Sequence, residues 1–566
     1  MRNIFLIIMS VFVLASCDYL DTRPIQDLSN DELWSHATYG EGLLTRAYAN
    51  LNTTWDVQSE YYTDNAVPNT PGANILALGG WTLEGNPIGQ WDFWYTNIRY
   101  LNEFLANGRN LLYSTTDPLR NTTLQRYRIG EAYFLRAWYQ WMLLKTYGGY
   151  ADGSAEALGF PIVTEVLSPA DDLNRPRNTY EECVTQIVED LDSAAAILPV
   201  RYTGTDTYTG VRNVGRGSRL AALTLKAQVY LWAASPAYGP STFELWDRAA
   251  KAAYAAIVVS NPTVNNLSSN SSITSNWYRS ASTTDFIWIQ PAVTSNSLEY
   301  SYYPPSLYGA GLCNPSQNFV DAFPARDGYP VTESALYNAA DPYANRDPRL
   351  PLNVFYNGMT WNSVTVQTYD GGNDAPGGIN KQGTRTGYYM RKLLTGSVSL
   401  TPGSVSSAER FYVYLHKTDL YLMFAEAANE AYGPADATLG ASAYDVMARV
   451  RRRAGIDADL GASGNQDPYM VAQRDLGKDA FRTFIRNERR IELAFEGQRF
   501  WDIRRWEEPL NHTVRGVQIT RNPDTGVLTF QYRDVEEHTF QDYMRYIPVP
   551  FNQTLIMSNL KQNSGW

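Results

Sequence analysis

Residues 481–506, Phe-Arg-Thr-Phe-Ile-Arg-Asn-Glu-Arg-Arg-Ile-Glu-Leu-Ala-Phe-Glu-Gly-Gln-Arg-Phe-Trp-Asp-Ile-Arg-Arg-Trp, combine a strong helical period with dense charge. At about 100° per residue, Phe481, Phe484, Ile491 and Phe495 share one stripe, and Arg482, Arg486 and Arg490 lie opposite. The pattern predicts an amphipathic helix with a basic back. Glu488 falls inside the apolar stripe with Glu492 beside it, and a buried carboxylate without a partner is strongly disfavoured or takes up a proton. Both therefore need cations. Gly497 is the expected left-handed stop, and a short second helix to Trp506 carries Arg499, Arg504 and Arg505, which could fold back onto them. Two carboxyls facing a cleft about 5–9 Å apart would suit a glycosidase. Nearby arginines, however, lower carboxyl pKa values, the wrong direction for a general acid, and a structural ion pair is the reading preferred for Glu488 and Glu492. No catalytic residue is assigned.

The run Asn487 to Trp506 closely resembles the C-terminal signature of the SusD/RagB family of cell-surface nutrient-binding lipoproteins. Further segments resemble family landmarks in the same order along the chain. They are Glu131 to Ala137, Asn314 to Asn318 with Asp321-Ala322-Phe323 and Asp327-Gly328, Asn345 to Leu350, Thr386 to Lys392, Asp419 to Ala427, Tyr546 to Pro550 and Leu560 to Trp566.

The N-terminus carries Arg2, an apolar Ile4 to Val13 and then Leu14-Ala15-Ser16-Cys17, a signal peptide over 1–16 whose end resembles a bacterial lipobox with Cys17 as the lipidated residue. An ordinary secretory cleavage site is the alternative. Acyl chains on Cys17 would hold the mature protein at a membrane that no other apolar run is long enough to cross. Residues 17–30 read as a polar tether.

The remaining 31–259 and 411–566 carry helical periods, whereas 260–410 loses them. Residues 180–258 give three helices of ordinary length, two of them Ala-rich, in the cadence of tetratricopeptide-like hairpins without the strict repeat. The expected fold is therefore mainly α: degenerate tetratricopeptide-like helical hairpins in a superhelix, with a large irregular, loop-rich insert. Only Phe286 to Ile289 reads there as a strand. On α-helical period Trp91 and Trp94 are core, as are Phe134, Trp138, Trp141 and Met142, with Lys145 suited to the dipole of its helix C-terminus.

A net charge of −11 argues against nucleic acid as a partner, because phosphate contacts need clustered Lys and Arg. The cluster Arg449 to Arg453 is better read as a source of partners for Glu488 or Glu492. Cys183 and Cys313 imply no disulfide framework, the four histidines form no metal motif, and Asp370 to Asp374 could hold calcium only without the spacing of an EF-hand loop. No cofactor or metal is expected.

Forty tyrosines and fifteen tryptophans exceed what a core alone calls for. Those in the irregular regions suit a sugar, which offers an apolar C–H face to a flat ring and a rim of hydroxyls to Asn or Asp. Trp81, Trp277, Tyr302, Tyr303 and Tyr308 are the candidate stacking residues, with Asp64 and Asn86 as hydroxyl partners. The resemblance implies a lipid-anchored outer-membrane protein facing the exterior, which captures an oligosaccharide and passes it to a SusC-like TonB-dependent transporter. A RagB-like peptide-capture lipoprotein and a lipid-anchored glycoside hydrolase are the alternatives.

Overall fold

Capping residues start the helices of the scaffold where the sequence places them. Thr179 accepts from the Glu182 backbone N–H while the Glu182 carboxylate accepts from Thr179 N–H, Ser442 and Asp445 form the same reciprocal pair, and Ser218 accepts from the Ala221 backbone N–H. Each such cap contributes about 1 kcal/mol. The computed structural model describes residues 30–208, 210–260, 285–456 and 467–566. Cys17, most of the tether and Trp277 lie outside the described residues.

The principal helices are α1 Gly42–Ala49, α2 Trp91–Asn107, α3 Pro118–Tyr147, α4 Tyr180–Ile197, α5 Arg219–Ala233, α6 Phe243–Ser260, α7 Lys417–Tyr432, α8 Ala443–Ala454, α9 Pro468–Leu476, α10 Lys478–Glu492 and α11 Arg499–Arg505. From α2 to α7 each packs on the next, and α7 then receives α8 and α10. Ala221, Ala222 and Ala227 of α5 and Ala249, Ala250 and Ala253 of α6 are buried, which lets those backbones approach closely. This is the expected superhelix of helical hairpins. No helix among the described residues is long and apolar enough to cross a membrane.

The insert has its own core. Phe319, Phe323, Val354, Phe355, Tyr388, Tyr389 and Met390 form a cluster separate from the helical one. Its two ends are tied together by β2 (Phe286–Ile289) pairing antiparallel with β4 (Val413–His416). A second short pair joins β1 (Ala66–Pro68) to β3 (Cys313–Pro315).

The tail assigned to the helical scaffold also contains a long hairpin, β5 Thr513–Arg521 with β6 Leu528–Glu537, whose Val517 and Ile519 fill the insert core. Its alternation and its Asn522-Pro523-Asp524 turn are visible in the chain, but the helical signals around it dominate. Lys145 sits in the last turn of α3, as expected, and is half-buried there: its ammonium lies 4.9 Å from the Trp501 ring and 5.4 Å from that of Trp232.

Candidate functional site

The signature stretch fastens the two cores to each other. Phe481, Phe484 and Ile485 of α10 enter the helical core, and Ile491, Ala494 and Phe495 enter the insert core. A helix crossing from one apolar cluster to the other must carry its charges between them, and it does so in closed pairs. Glu488 accepts from Arg451 at 2.7 Å and from Arg349 at 2.8 Å; Glu492 accepts from Arg349 at 2.8 Å and from Arg453. Arg349 also holds Asp347, and Arg451 also holds Asp467.

Burial alone would raise both carboxyls, but the guanidinium groups outweigh it: Glu488 is held below its ordinary value and Glu492 falls to about 2. Neither can hold a proton for general-acid work near neutral pH.

Two of the expected partners are thus present, Arg451 and Arg453, and the third is Arg349 of the insert. The arginines of α11 go elsewhere. Arg505 pairs with Glu426 at 2.6 Å and Asp502 at 2.9 Å, Arg499 pairs with Asp64 at 3.0 Å, and Arg504 lies against the Phe500 ring at 3.6 Å. The stop also differs. Helix α10 ends at Glu492, and both Phe495 (φ 62°) and Gly497 (φ 74°) adopt left-handed backbone before α11 begins.

The basic back of α10 grips a first irregular loop, residues 53–90, which interrupts the helices between α1 and α2. Asp64 is clasped by Arg490 at 3.0 Å and by Arg499, whose guanidiniums hold its carboxyl far below the usual range against the opposing effect of burial. Asn65 receives a hydrogen bond from Arg490, and Glu60 accepts from the Phe495 backbone N–H at 2.8 Å. Asp64 is therefore a structural anchor and not a free hydroxyl partner.

Two of the candidate rings are likewise in the core. Trp81 is 2% exposed, packed edge-on to Trp566 and Phe540, and Tyr303 is 1% exposed with its hydroxyl donating to Thr395 O. A ring with no exposed face cannot receive a sugar. Asn86 is half-buried, and it spends its amide on Trp81 Nε1, on Ile88 N–H and on Ile88 O.

Tyr308 and Tyr302 remain. Tyr308 is 54% exposed, and Tyr300, named in the sequence only as part of a tyrosine cluster, is 48% exposed. Tyr302 is half-buried beside them. Ala310 N–H donates to Tyr300 O at 2.7 Å and Leu312 N–H to Ser301 O at 2.9 Å, which lays the segment after Tyr308 beside the short helix Ser297–Tyr302. β1–β3 then carries the first irregular loop to the same place. Asn69 donates through its backbone to Leu312 O and through its side chain to Ala310 O, and the Tyr61 hydroxyl donates to Leu312 O.

The result is a shelf of Tyr61, Tyr300, Tyr302 and Tyr308 with exposed Leu312 and Thr70 at its edge. Tyr308 stands there at φ 65°, a left-handed conformation that a glycine would adopt without strain. An exposed tyrosine kept in such a position argues for a contact outside the chain, since its own packing does not require it.

The carboxylates of the Asp370 to Asp374 segment are engaged. Asp374 accepts from Ser306 and Gln367 backbone N–H groups at 2.8 Å each, and Asp370 accepts from Gln518. Among the described residues no group of three or more His, Cys, Asp and Glu is placed to hold a metal ion.

The profile of the SusD family matches residues 269–566, and that of a family described as starch-binding associating with outer membrane matches residues 18–231. The SusD-like protein P38 of Formosa agariphila is 24% identical over 527 residues, which span 88% of this chain and 90% of that one. A SusD-like protein from Bacteroides fragilis superposes with a TM-score of 0.72 at 23% identity, covering 96% of this chain and all of its own. A SusD-like carbohydrate binding protein from the same species does so with a TM-score of 0.69 at 21% identity, covering 94% and 100%. For a SusD homolog from Bacteroides thetaiotaomicron the TM-score is 0.61 at 19% identity, covering 95% and 99%. These structural likenesses are likenesses of fold.

Proposed function

The chain belongs to the SusD family, and from that premise we propose that it is a lipid-anchored, outward-facing glycan-binding protein of the outer membrane. It captures an oligosaccharide on the tyrosine shelf and delivers it to a SusC-like TonB-dependent transporter. The observation that carries this reading is the convergence of two loops, distant in sequence, on one surface with exposed Tyr300 and Tyr308. Flat rings with a hydroxyl each match both features of a pyranose, its C–H face and its polar rim. The protein acts by binding and release. The most conspicuous carboxylates, Glu488 and Glu492, are closed into arginine pairs, which speaks against the hydrolase alternative.

The test is calorimetric titration with neutral oligosaccharides. Tyr300→Ala with Tyr308→Ala weakens binding about tenfold or more, the worth of an aromatic contact or two. Tyr308→Gly abolishes the same contact while relieving the left-handed strain, so the variant melts no lower than the parent. Unchanged affinity in the double variant would remove the shelf from the binding site.

A further inference from the structure

The part-exposed aromatic side chains of four segments outline a crevice along one face of α3, against the helical core. From Phe134 to Tyr147 every residue of α3 is buried except Trp138, Met142 and Lys145, which are part-exposed and spaced four and three residues apart, one stripe of a helix. On α11 the same is true of Trp501 alone. In the chain leading into β4, Tyr412 and Tyr414 are part-exposed and alternate with buried Phe411, Val413 and Leu415. The fourth wall is the loop bearing Trp55 and Asp56. The walls touch: ring centroids lie 4.8 Å apart for Trp55 and Tyr412, 4.8 Å for Tyr412 and Tyr414, and 5.6 Å for Trp138 and Tyr414.

Two charges face this space. The Lys145 ammonium meets only the indole faces of Trp501 and Trp232 among the described residues, with neither a hydrogen bond nor a carboxylate within ion-pair distance. Burial draws it down to about 8, with Asp56 the foremost of the acids that oppose the shift. Asp56 is solvent-accessible, yet its carboxyl is raised, and burial is again the main cause. A group that is both accessible and surrounded by protein lines a recess. Its carboxylate is engaged by Ser59, whose backbone N–H donates to Oδ1.

We propose that this crevice is a second binding site, taking an acidic sugar residue whose ring lies on the Trp138, Tyr414 and Trp501 faces and whose single negative charge meets Lys145. Asp56 accepts from its hydroxyls. One unpaired ammonium matches one oxyanion, either a carboxylate or a sulfate ester, and the indole faces beside it suit the apolar side of a pyranose. A phosphate monoester would bring more charge than one lysine answers. The inference deepens the glycan-binding reading and rests on it, but it concerns a surface separate from the tyrosine shelf.

The experiment titrates the full mature chain with glucuronate, glucose 6-sulfate and glucose, following tryptophan fluorescence and heat. One or both acidic sugars bind saturably and glucose does not. Lys145→Met, which keeps the apolar stem over the rings, weakens that binding about tenfold or more, the worth of one charge-assisted hydrogen bond, and Lys145→Arg largely retains it.

In the parent chain the affinity also falls as pH rises through about 8, where Lys145 loses its proton. The other charges bearing on Lys145 are Asp56 of the loop, Asp502 of α11, Asp419 of α7 and Arg489 of α10, and the pH effect must vanish in Lys145→Met. Tyr300→Ala with Tyr308→Ala leaves acidic-sugar binding intact while weakening that of neutral oligosaccharides about tenfold or more. No saturable binding by the parent, equal affinity in Lys145→Met, or preference for N-acetyl-phenylalanine over both sugars overturns the proposal. Weakened neutral-glycan binding in the Tyr300→Ala, Tyr308→Ala double variant would still stand in each of those cases, so failure here is distinguishable from failure of the shelf.

Discussion

Glu488→Gln keeps the volume of the side chain and removes its charge from the centre of the ion-pair network. Two charge-assisted hydrogen bonds are weakened, at 2.7 Å from Arg451 and at 2.8 Å from Arg349. Neither arginine is left bare, because Arg451 keeps Asp467 and Arg349 keeps Asp347 and Glu492. That retention places the cost near the lower end of the range for breaking a buried pair, about 3 kcal/mol. With an unfolding entropy of about 2 cal/mol/K per residue, a chain of 566 residues that melts as one unit would lower its midpoint by about 3 °C. Scanning calorimetry of parent and variant at pH 7 reads this directly. A shift below about 1 °C would mean that the pairs stabilise nothing, and the account of α10 as the fastening between two cores would be wrong. The same samples, assayed for reducing sugar, address the alternative chemistry: release by the parent that disappears in the variant would make Glu488 catalytic.

Acid should weaken the fold in a defined window. Glu492 and Glu426 are both held at about 2 against an ordinary 4.5, so the stability they contribute is complete above 4.5 and is lost as pH falls towards 2. Urea unfolding from pH 6 to pH 3 measures that loss, and Glu492→Gln flattens it. Glu60 has the opposite sign. Burial raises it to about 7, so the folded chain holds a proton that the unfolded chain releases, and stability from this group declines as pH rises from 4.5 to 7. Glu60→Gln removes that slope, and a variant whose profile still falls over the interval would show that the carboxyl is ionised in the fold. Asp64→Asn leaves Arg490 and Arg499 facing each other across a buried amide and lowers stability by about 3 kcal/mol in urea titration. Thr179→Ala removes a capping box and costs about 1 kcal/mol by the same assay, with no change in oligosaccharide affinity.

Much of the scaffold was legible because its signals are local. Thr179 with Glu182, the alanines of α5 and α6, and the stripe of Phe481, Phe484 and Ile491 each state their role within a few residues. Glu488 could be recognised as a carboxylate needing cations for the same reason, and Arg451 and Arg453 could be nominated by composition. Arg349 could not be, since nothing near it in the chain shows that it will sit against α10. The shelf was half legible. Tyr302 and Tyr308 were picked from a loop rich in tyrosine, but the same criterion picked Tyr303, its immediate neighbour, which turns inward to Thr395 O. In an irregular segment there is no period to separate the two sides, so exposure has to be learned from the fold. Trp81 and Asp64 failed for a related reason: their loop lies on α10 and α11, and the contacts that bury them are more than four hundred positions away.

From the sequence alone come the helical class, the ordered family landmarks, the apolar N-terminal segment ending at Cys17, and the demand that Glu488 and Glu492 be paired. These follow from periodicity, short motifs and the cost of burying charge, all of which act over one or two helical turns. Only the tertiary structure decides which aromatic rings face outward, that β1 and β3 bring two irregular loops to one surface, and that Lys145 lies against the rings of Trp501 and Trp232. The physical reason is that solvent exposure of a loop side chain is set by whatever packs against it from elsewhere in the chain. In this protein the elements that do so, α10, α11, the β5–β6 hairpin and the tail that carries Phe540 and Trp566, come late in the sequence.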